Sequence, residues 1–142
     1  MPLGRRVIII GGNVQGCQLA EFLVKRGRKV TIVETSDELA TGMGWIKRGK
    51  LLYWFEKKGV TAFSGVKYEG IIDKGLTITS KDGERKTIEA DTIVPAMPLE
   101  PDSEFFRVLK GRVPEVHLIG DAKEPHQILE AIHEGSRIAR LI

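Results

Sequence analysis

Residues 11–16, with the sequence GGNVQG, have the types and spacing of a loop that binds the phosphates of a dinucleotide. The loop follows an apolar run and differs from the fingerprint G-x-G-x-x-G at one place, where Asn13 replaces the middle glycine. Gly11 would supply the tight turn, and Gly16 would let a helix pack closely on a sheet. We predict that all six residues contact the cofactor: Gly11, Gly12, Asn13, Val14, Gln15 and Gly16.

The predicted contacts to the pyrophosphate come from backbone N–H groups, since a helix that starts here presents unpaired donors and the positive end of its dipole. These donors belong to Val14, Gln15 and Gly16, whatever their side chains are. Asn13 leaves two outcomes open. Asparagine tolerates positive φ, so the turn can form, but its Cβ and amide would either clash with the phosphates or donate a hydrogen bond to them.

An acidic residue stands near the distance that the fingerprint requires. Glu34 comes 18 residues after Gly16, at the end of a second apolar run. An acid about 20 residues beyond the loop accepts hydrogen bonds from the adenosine ribose. Its carboxylate would repel a 2′-phosphate, and residues 35–37 (TSD) bring no cation. On charge, the sequence favours NAD(H) over NADP(H).

The elements that would position these residues form an α/β fold with a Rossmann-like βαβαβ parallel sheet. Residues 6–10 (RVIII) and 29–34 (KVTIVE) are typical of parallel strands buried on both faces. An amphipathic helix between them ends at Gly27, and a second helix over residues 45–59 leads to a short strand over residues 60–65. The predicted core positions of the two helices are Leu19, Phe22, Leu23, Ile46, Leu51, Leu52 and Phe55.

After residue 65 the pattern changes to short alternating strands. The stretches VKYEGIID, LTITS and KTIEA predict an antiparallel meander, with turns at Lys74-Gly75 and Asp82-Gly83. Residues 91–97 (DTIVPAM) return as a buried strand that Pro95 should end early. We therefore predict one dinucleotide-binding module over residues 5–97.

A change of composition at residues 98–102 begins a second segment, residues 98–142. We expect a short helix near residues 105–109, a strand over residues 115–120 and a final helix from about His126. A strand without its natural neighbours should either dock on the rest of the chain or self-associate into a homo-oligomer. The predicted apolar side of the final helix contains Ile128, Leu129, Ile132, Ile138 and Leu141.

Composition argues against several other functions. The net charge of +3 is spread over turns, which does not favour a nucleic-acid partner. No apolar run approaches the roughly 20 residues of a membrane span. The single cysteine, Cys17, excludes an internal disulfide or a cysteine-rich metal site in this chain and fits a cytoplasmic location. Near a helix start it is either a reactive thiol or, as we favour, a small buried side chain.

No group of residues has the spacing of a catalytic or metal centre. Of the three histidines, His117, His126 and His133, the last two are seven residues apart, or two helical turns, and no third ligand is spaced to help them, so we predict no metal. No catalytic acid, base or nucleophile is evident either. Such a site fits hydride transfer, in which nicotinamide and flavin carry the chemistry and the protein positions them.

Three stretches, VIIIGGNVQGCQLAEFLVKRGRKVTIVE, ADTIVPAMPLEP and VPEVHLIGDAKEPHQILEAIHEGSRIARLI, resemble the C-terminal portion of the 2,4-dienoyl-CoA reductase / NADH:flavin oxidoreductase family. The most specific piece is LIGDAKEPHQILEAIHEG. The resemblance implies that residues 5–97 bind NAD(H) and that residues 98–142 end an FAD-binding domain, where Gly120 and Asp121 contact FAD. Asp121 could also be a mere helix cap. The remainder of the flavoprotein chain would carry the rest of that domain, FMN and an iron–sulfur cluster.

The leading hypothesis is therefore an NADH-binding module that delivers hydride to FAD, for reduction of an unsaturated substrate elsewhere in a full-length enzyme. As an excised fragment it should be inactive alone. The alternative, raised by Asn13, is a vestigial nucleotide-binding fold with a structural or interaction role. A nucleic-acid or other interaction domain is the weakest of the three.

Overall fold

The computed structural model of the protein describes residues 3–142, and the chain divides into two compact units after Met97. The first unit is an α/β fold with a Rossmann-like parallel sheet and an antiparallel meander, which confirms the predicted fold class. Its elements are β1 (Arg6–Ile10), α1 (Val14–Lys25), β2 (Lys29–Val33), α2 (Trp45–Lys58), β3 (Thr61–Phe63), β4 (Lys67–Ile72), β5 (Gly75–Thr79), β6 (Arg85–Glu89) and β7 (Thr92–Pro95).

The parallel sheet has the strand order β3-β2-β1-β7. At its centre Ile9 of β1 lies opposite Ile32 of β2 and Val94 of β7. Ile9 and Ile32 are completely buried, and Ile8, on the other face of β1, is 1% exposed. β1 is apolar at successive positions because both faces of the sheet are covered. β7 ends at Pro95, as its sequence predicts, at the edge of the sheet where a missing N–H is tolerated.

The two long helices cover one face of this sheet, and in each of them one residue predicted to lie in the core is exposed. α1 buries Cys17, Ala20 and Leu23, whereas Phe22 is 49% exposed and lies against the Arg26 guanidinium. α2 buries Leu51 and Phe55, as expected, whereas Ile46 is 53% exposed. The predictions for Phe22 and Ile46 were wrong. Each residue of a helix is rotated by 100° from the one before it, and this rotation turns both side chains away from the buried stripe. The other two predicted positions, Leu19 and Leu52, are partly buried.

The meander covers the opposite face of the sheet. Its strands pair in the order β4-β5-β6, antiparallel throughout, with a register shift between Tyr68 and Gly70. Leu76 and Ile78 of β5 and Ile88 of β6 form a cluster with the side of β1 that faces away from the helices. The meander thereby brings residues 66–89 close to the end of β2.

The second unit contains α3 (Glu104–Leu109), a 3-10 turn (Gly120–Ala122) and α4 (Ile128–Ala139). The strand predicted over residues 115–120 is not formed. A strand needs the hydrogen bonds of a neighbour, and within residues 98–142 no other strand pairs with it. The apolar side chains of α4 and of the residues after it are largely exposed, among them Ile128, Leu129, Ile132 and Leu141.

Candidate functional site

The turn after β1 is built on glycines that the backbone requires. Gly11 has φ +109°, and its N–H donates to the Val33 carbonyl at 2.8 Å. A Cβ on Gly11 would lie 2.5 Å from the carbonyl oxygen of Ala96, and one on Gly16 would lie 1.9 Å from the Gly11 carbonyl oxygen. A Cβ on Gly12 would lie 2.3 Å from the Leu39 side chain. A Cβ on Gly11 or Gly16 would therefore displace the backbone of the turn, whereas one on Gly12 would require the Leu39 side chain to move.

Asn13 is the N-cap of α1, with φ −65° in extended backbone. Its Oδ1 accepts a hydrogen bond from the Gly16 N–H at 2.9 Å, and its Nδ2 donates to the Ala96 carbonyl at 2.9 Å. The turn therefore needs no positive φ at this residue, because Gly11 supplies it. Both ends of the Asn13 amide are engaged by the chain itself, an arrangement that neither sequence alternative included.

The start of α1 keeps two free backbone donors. Within residues 3–142 the N–H groups of Val14 and Gln15 have no hydrogen-bond partner, whereas that of Gly16 is taken by Asn13. Two of the three predicted phosphate donors thus remain available. They lie in the first turn of a twelve-residue helix, where the dipole favours an anion.

Glu34 lies directly after β2 and accepts three hydrogen bonds from the chain. The Gly12 N–H binds Oε2 at 2.5 Å, and the Ser36 N–H and the Thr35 hydroxyl bind Oε1 at 2.8 and 3.1 Å. Burial alone would raise the pKa of Glu34, but the hydrogen bonds from Ser36, Gly12 and Thr35 outweigh it and lower the pKa. A carboxylate has about four acceptor sites, so the anion keeps roughly one, on Oε2.

The loop between β2 and α2 packs on the glycine turn. Ala40 is fully buried with φ +54°, and its N–H donates to the Gly12 carbonyl at 2.6 Å. The Cys17 thiol donates to the same carbonyl at 3.3 Å. Arg48 of α2 binds the Leu39 carbonyl at 2.8 Å through Nε. The glycine turn, the cysteine and the loop therefore form one connected network.

The Cys17 side chain is completely buried. Burial raises the pKa of its thiol, and it outweighs the lowering by the backbone hydrogen bond from Ala40. The thiol is therefore protonated at neutral pH, and of the two interpretations of this residue the structure supports the small buried side chain.

Two residues near Glu34 were missed by the sequence analysis. The Tyr68 hydroxyl donates to the Val33 carbonyl at 3.1 Å, and burial, followed by the charge of Glu34, raises the pKa of Tyr68. Lys81 pairs with Asp37 just beyond Glu34. Both come from the meander, far along the chain, and only the register of that sheet could have placed them here.

The remaining predicted site residues, Gly120 and Asp121, belong to the second unit. Gly120 has φ +59°, and its N–H donates to Glu134 Oε2 at 2.9 Å. The Lys123 ammonium, followed by this N–H, lowers the pKa of Glu134. Asp121 is exposed within the 3-10 turn. The turn is thus tied to α4, and it leaves the Asp121 carboxylate accessible.

Among residues 3–142, no three His, Cys, Asp or Glu side chains are grouped as a metal site would need. None of the helices there has the length and apolar character needed to cross a membrane.

The double role of Asn13 gives a stability prediction. Asn13→Ala removes both the cap of α1 and the bond to Ala96, and is expected to lower the free energy of unfolding by about 1–2 kcal/mol. Asn13→Ser keeps a hydroxyl acceptor that can cap the Gly16 N–H and removes the donor to Ala96, so it should fall between the wild type and Asn13→Ala. Urea unfolding of the three proteins measures this order. Equal stability of Asn13→Ala and the wild type would contradict both bonds.

The sequence and the fold of this chain resemble those of known oxidoreductases. The family model of the pyridine nucleotide-disulphide oxidoreductases matches residues 1–135. NADH oxidase from Thermoanaerobacter brockii is 33% identical over 94% of the chain, and cinnamate reductase from Clostridium sporogenes is 30% identical over 99% of it; the chain covers 21% of each. The structure of a 2-naphthoyl-CoA reductase complex superposes with a TM-score of 0.88 at 29% identity, over 100% of this chain and 22% of that one.

The chain thus spans about a fifth of the length of these relatives. The relatives carry different substrate names, so they support the broad family and not the 2,4-dienoyl-CoA reductase branch in particular. The family match extends over the glycine turn, Glu34 and the Gly120 turn alike. The chain belongs to the pyridine nucleotide-disulphide oxidoreductase family, a family of oxidoreductases that bind FAD and NAD(P).

Proposed function

We propose that residues 5–97 are the NAD(H)-binding module of a flavoprotein oxidoreductase resembling 2,4-dienoyl-CoA reductase. In the full-length enzyme this module would deliver hydride from NADH to FAD, for reduction of an unsaturated substrate elsewhere. Residues 98–142 would end the FAD-binding domain, with Gly120 and Asp121 beside the flavin. The observation that carries the proposal is the pairing of free Val14 and Gln15 donors with an ionised Glu34 across one glycine turn.

The residues present fit a dinucleotide. Gly11 and Gly16 keep the turn tight and α1 close to the sheet, because a Cβ on either residue would meet a backbone carbonyl oxygen. The N–H groups of Val14 and Gln15 would hold the pyrophosphate at the start of α1. The acceptor site left on Glu34 Oε2 is enough for one ribose hydroxyl. The Glu34 carboxylate would also repel the 2′-phosphate of NADPH, so the ribose position beside Glu34 suits NADH better.

NADH, when bound, supplies the hydride. The residues of this chain bind and orient the dinucleotide. The backbone of α1 holds the phosphates, and Glu34 binds the ribose. The Gly12 and Ser36 N–H groups keep the Glu34 carboxylate deprotonated. No residue of the turn needs to exchange a proton. The absence of an acid–base pair in the sequence fits this division of work.

A titration of the chain with NADH tests the proposal. We expect saturable heat with one site per chain in calorimetry, and the largest amide shifts in NMR at Val14 and Gln15. Adenosine alone should shift residues near Glu34 and leave those two amides unchanged. Silence of both readouts at about 1 mM NADH, a concentration within the usual range for cofactor and substrate sites, would contradict NADH binding.

A second candidate function, a vestigial fold with a structural role, is favoured by one specific observation. Two N–H groups of the turn, those of Gly12 and Gly16, are already satisfied by Glu34 and Asn13. These two donors therefore need no ligand to satisfy them. Under this alternative the wild type ignores NADH, and Asn13→Gly, which frees the Gly16 donor, gains affinity. Good binding by the wild type excludes it.

A further inference from the structure

An ion pair lies beside the predicted ribose position and is not used by the proposed function. Asp37 stands three residues after Glu34, and the Lys81 ammonium from the turn between β5 and β6 pairs with its Oδ1. The pair lies over Gly65, which has φ +65°. A Cβ on Gly65 would lie 2.3 Å from Lys81 Cε and 2.7 Å from Asp37 Oδ1. The pair therefore occupies a space that only glycine leaves open.

Backbone hydrogen bonds hold Gly65, which lies under the ion pair, to the residues that follow β2. The Gly65 N–H donates to the Ser36 carbonyl at 2.8 Å, and the Val66 N–H donates to the Glu34 carbonyl at 3.2 Å. The Glu34 N–H in turn donates to the Phe63 carbonyl at 2.8 Å. Asp37 thus stays near Glu34 through main-chain contacts on both sides of Gly65.

Lys81 is also held by its own turn. The Ser80 N–H donates to the Glu84 carbonyl at 2.9 Å, the Gly83 N–H donates to the Ser80 carbonyl at 3.0 Å, and the Glu84 N–H donates to the Ser80 hydroxyl at 3.2 Å. These bonds fix the backbone of the turn, and the aliphatic part of the Lys81 side chain extends from it across Gly65. The Lys81 side chain is 60% exposed, so a ligand could reach it.

The charges around the end of β2 balance except for one. Arg48 neutralises Glu38, with Nη1 3.0 Å from Oε2, and Lys81 neutralises Asp37. Glu34 is left as the uncompensated carboxylate. A 2′-phosphate would carry up to two further negative charges into this region. Lys81, which crosses Gly65 beside the end of β2, is a cation that could meet this phosphate, and Asp37 occupies it.

We propose that the Asp37–Lys81 pair sets the preference between NADH and NADPH, with Asp37 withholding the Lys81 ammonium from a 2′-phosphate. This inference rests on the proposed function, because it concerns the same nucleotide site. Removing Asp37 frees Lys81 for the phosphate. Removing Lys81 leaves Asp37 as a second uncompensated carboxylate and strengthens the discrimination against NADPH.

Calorimetric titration of wild type and variants with NADH and with NADPH tests the inference. At low ionic strength, Asp37→Asn should bind NADPH roughly five-fold more tightly and Lys81→Met roughly five-fold less tightly, an effect of the size expected for one exposed charge. NADH affinity should change less than about two-fold, since NADH places no phosphate there. The double variant restores the original charge balance and should return the NADPH:NADH ratio to near its wild-type value.

Asp82→Asn is the matched control for Asp37→Asn. It also removes one carboxylate charge, but from the exposed residue that follows Lys81 in the turn between β5 and β6. It should leave the ratio unchanged, and added salt should shrink the Asp37→Asn and Lys81→Met effects together. If NADH binds and neither variant moves the NADPH:NADH ratio, this inference is overturned and the proposed function stands. If the wild type and both variants ignore NADH and NADPH alike, the proposed function and the inference both fail.

Discussion

Gly16→Ala is expected to lower the free energy of unfolding of the first unit by about 3 kcal/mol and to abolish NADH binding. The added Cβ would lie 1.9 Å from the Gly11 carbonyl oxygen and 3.4 Å from the Ala96 Cβ. The nearer atom belongs to the backbone of the turn, so the clash cannot be relieved by a side-chain rotation. α1 must move away from the sheet, and the Asn13 cap and the donors of Val14 and Gln15 move with it.

Gly49→Ala is the matched control for this prediction. Gly49 is exposed in the interior of α2, and a Cβ there meets nothing within 4 Å. The same chemical change should raise stability by up to about 1 kcal/mol, because alanine is the better helix former. Urea unfolding and calorimetry with NADH, applied to both variants, should thus give effects of opposite sign on stability. A Gly16→Ala protein as stable as the wild type would show that the turn is looser than described.

Glu34→Gln is expected to lower the free energy of unfolding by about 1–2 kcal/mol at neutral pH and to weaken NADH binding by roughly ten-fold. The glutamine amide carries a donor where the carboxylate has an acceptor. Either the Gly12 N–H or the Ser36 N–H must then face another N–H group. The ribose also loses a charged partner, and hydrogen bonds to charged groups are the stronger ones.

The stability difference between wild type and Glu34→Gln should depend on pH. The folded pKa of Glu34 is lowered, so its contribution is fully present above the unfolded pKa of about 4.3 and disappears as pH falls through the folded pKa. The two proteins should therefore converge in acid. Glu56→Gln, an exposed change on α2, should differ from wild type by less than about 0.5 kcal/mol at any pH. A pH-independent difference for Glu34→Gln would mean that its hydrogen bonds do not favour the charged form.

The parallel sheet and its two helices could be predicted from the sequence, because the pattern that indicates each element lies within that element. A buried parallel strand is apolar at nearly every position, as in β1, and the helix that follows has its own period. The same local pattern misjudged Phe22 and Ile46, since an apolar side chain can continue a stripe in sequence and still face solvent. It also predicted a strand over residues 115–120, which depends on neighbours that the pattern of a single segment does not include.

The candidate site was predictable in its residue types but not in its contacts. The spacing of the residues was enough to predict the glycine turn and Glu34 as parts of the site. The partners of Asn13 and Glu34 depend on where β7 ends and on how the loop after β2 folds back, so neither can be deduced from the motif. Tyr68 and Lys81 depend further on the register of the meander, which their own stretches of sequence do not determine.

Cys17 gives the chain an internal reporter of motion. Its thiol is fully buried and donates to the Gly12 carbonyl, which also accepts the Ala40 N–H. An alkylating reagent can reach it only when the glycine turn and the loop over it separate. When reclosing is faster than alkylation, the labelling rate of this single thiol gives the population of that opened form. The opening of the turn can therefore be followed without introducing a cysteine by mutation.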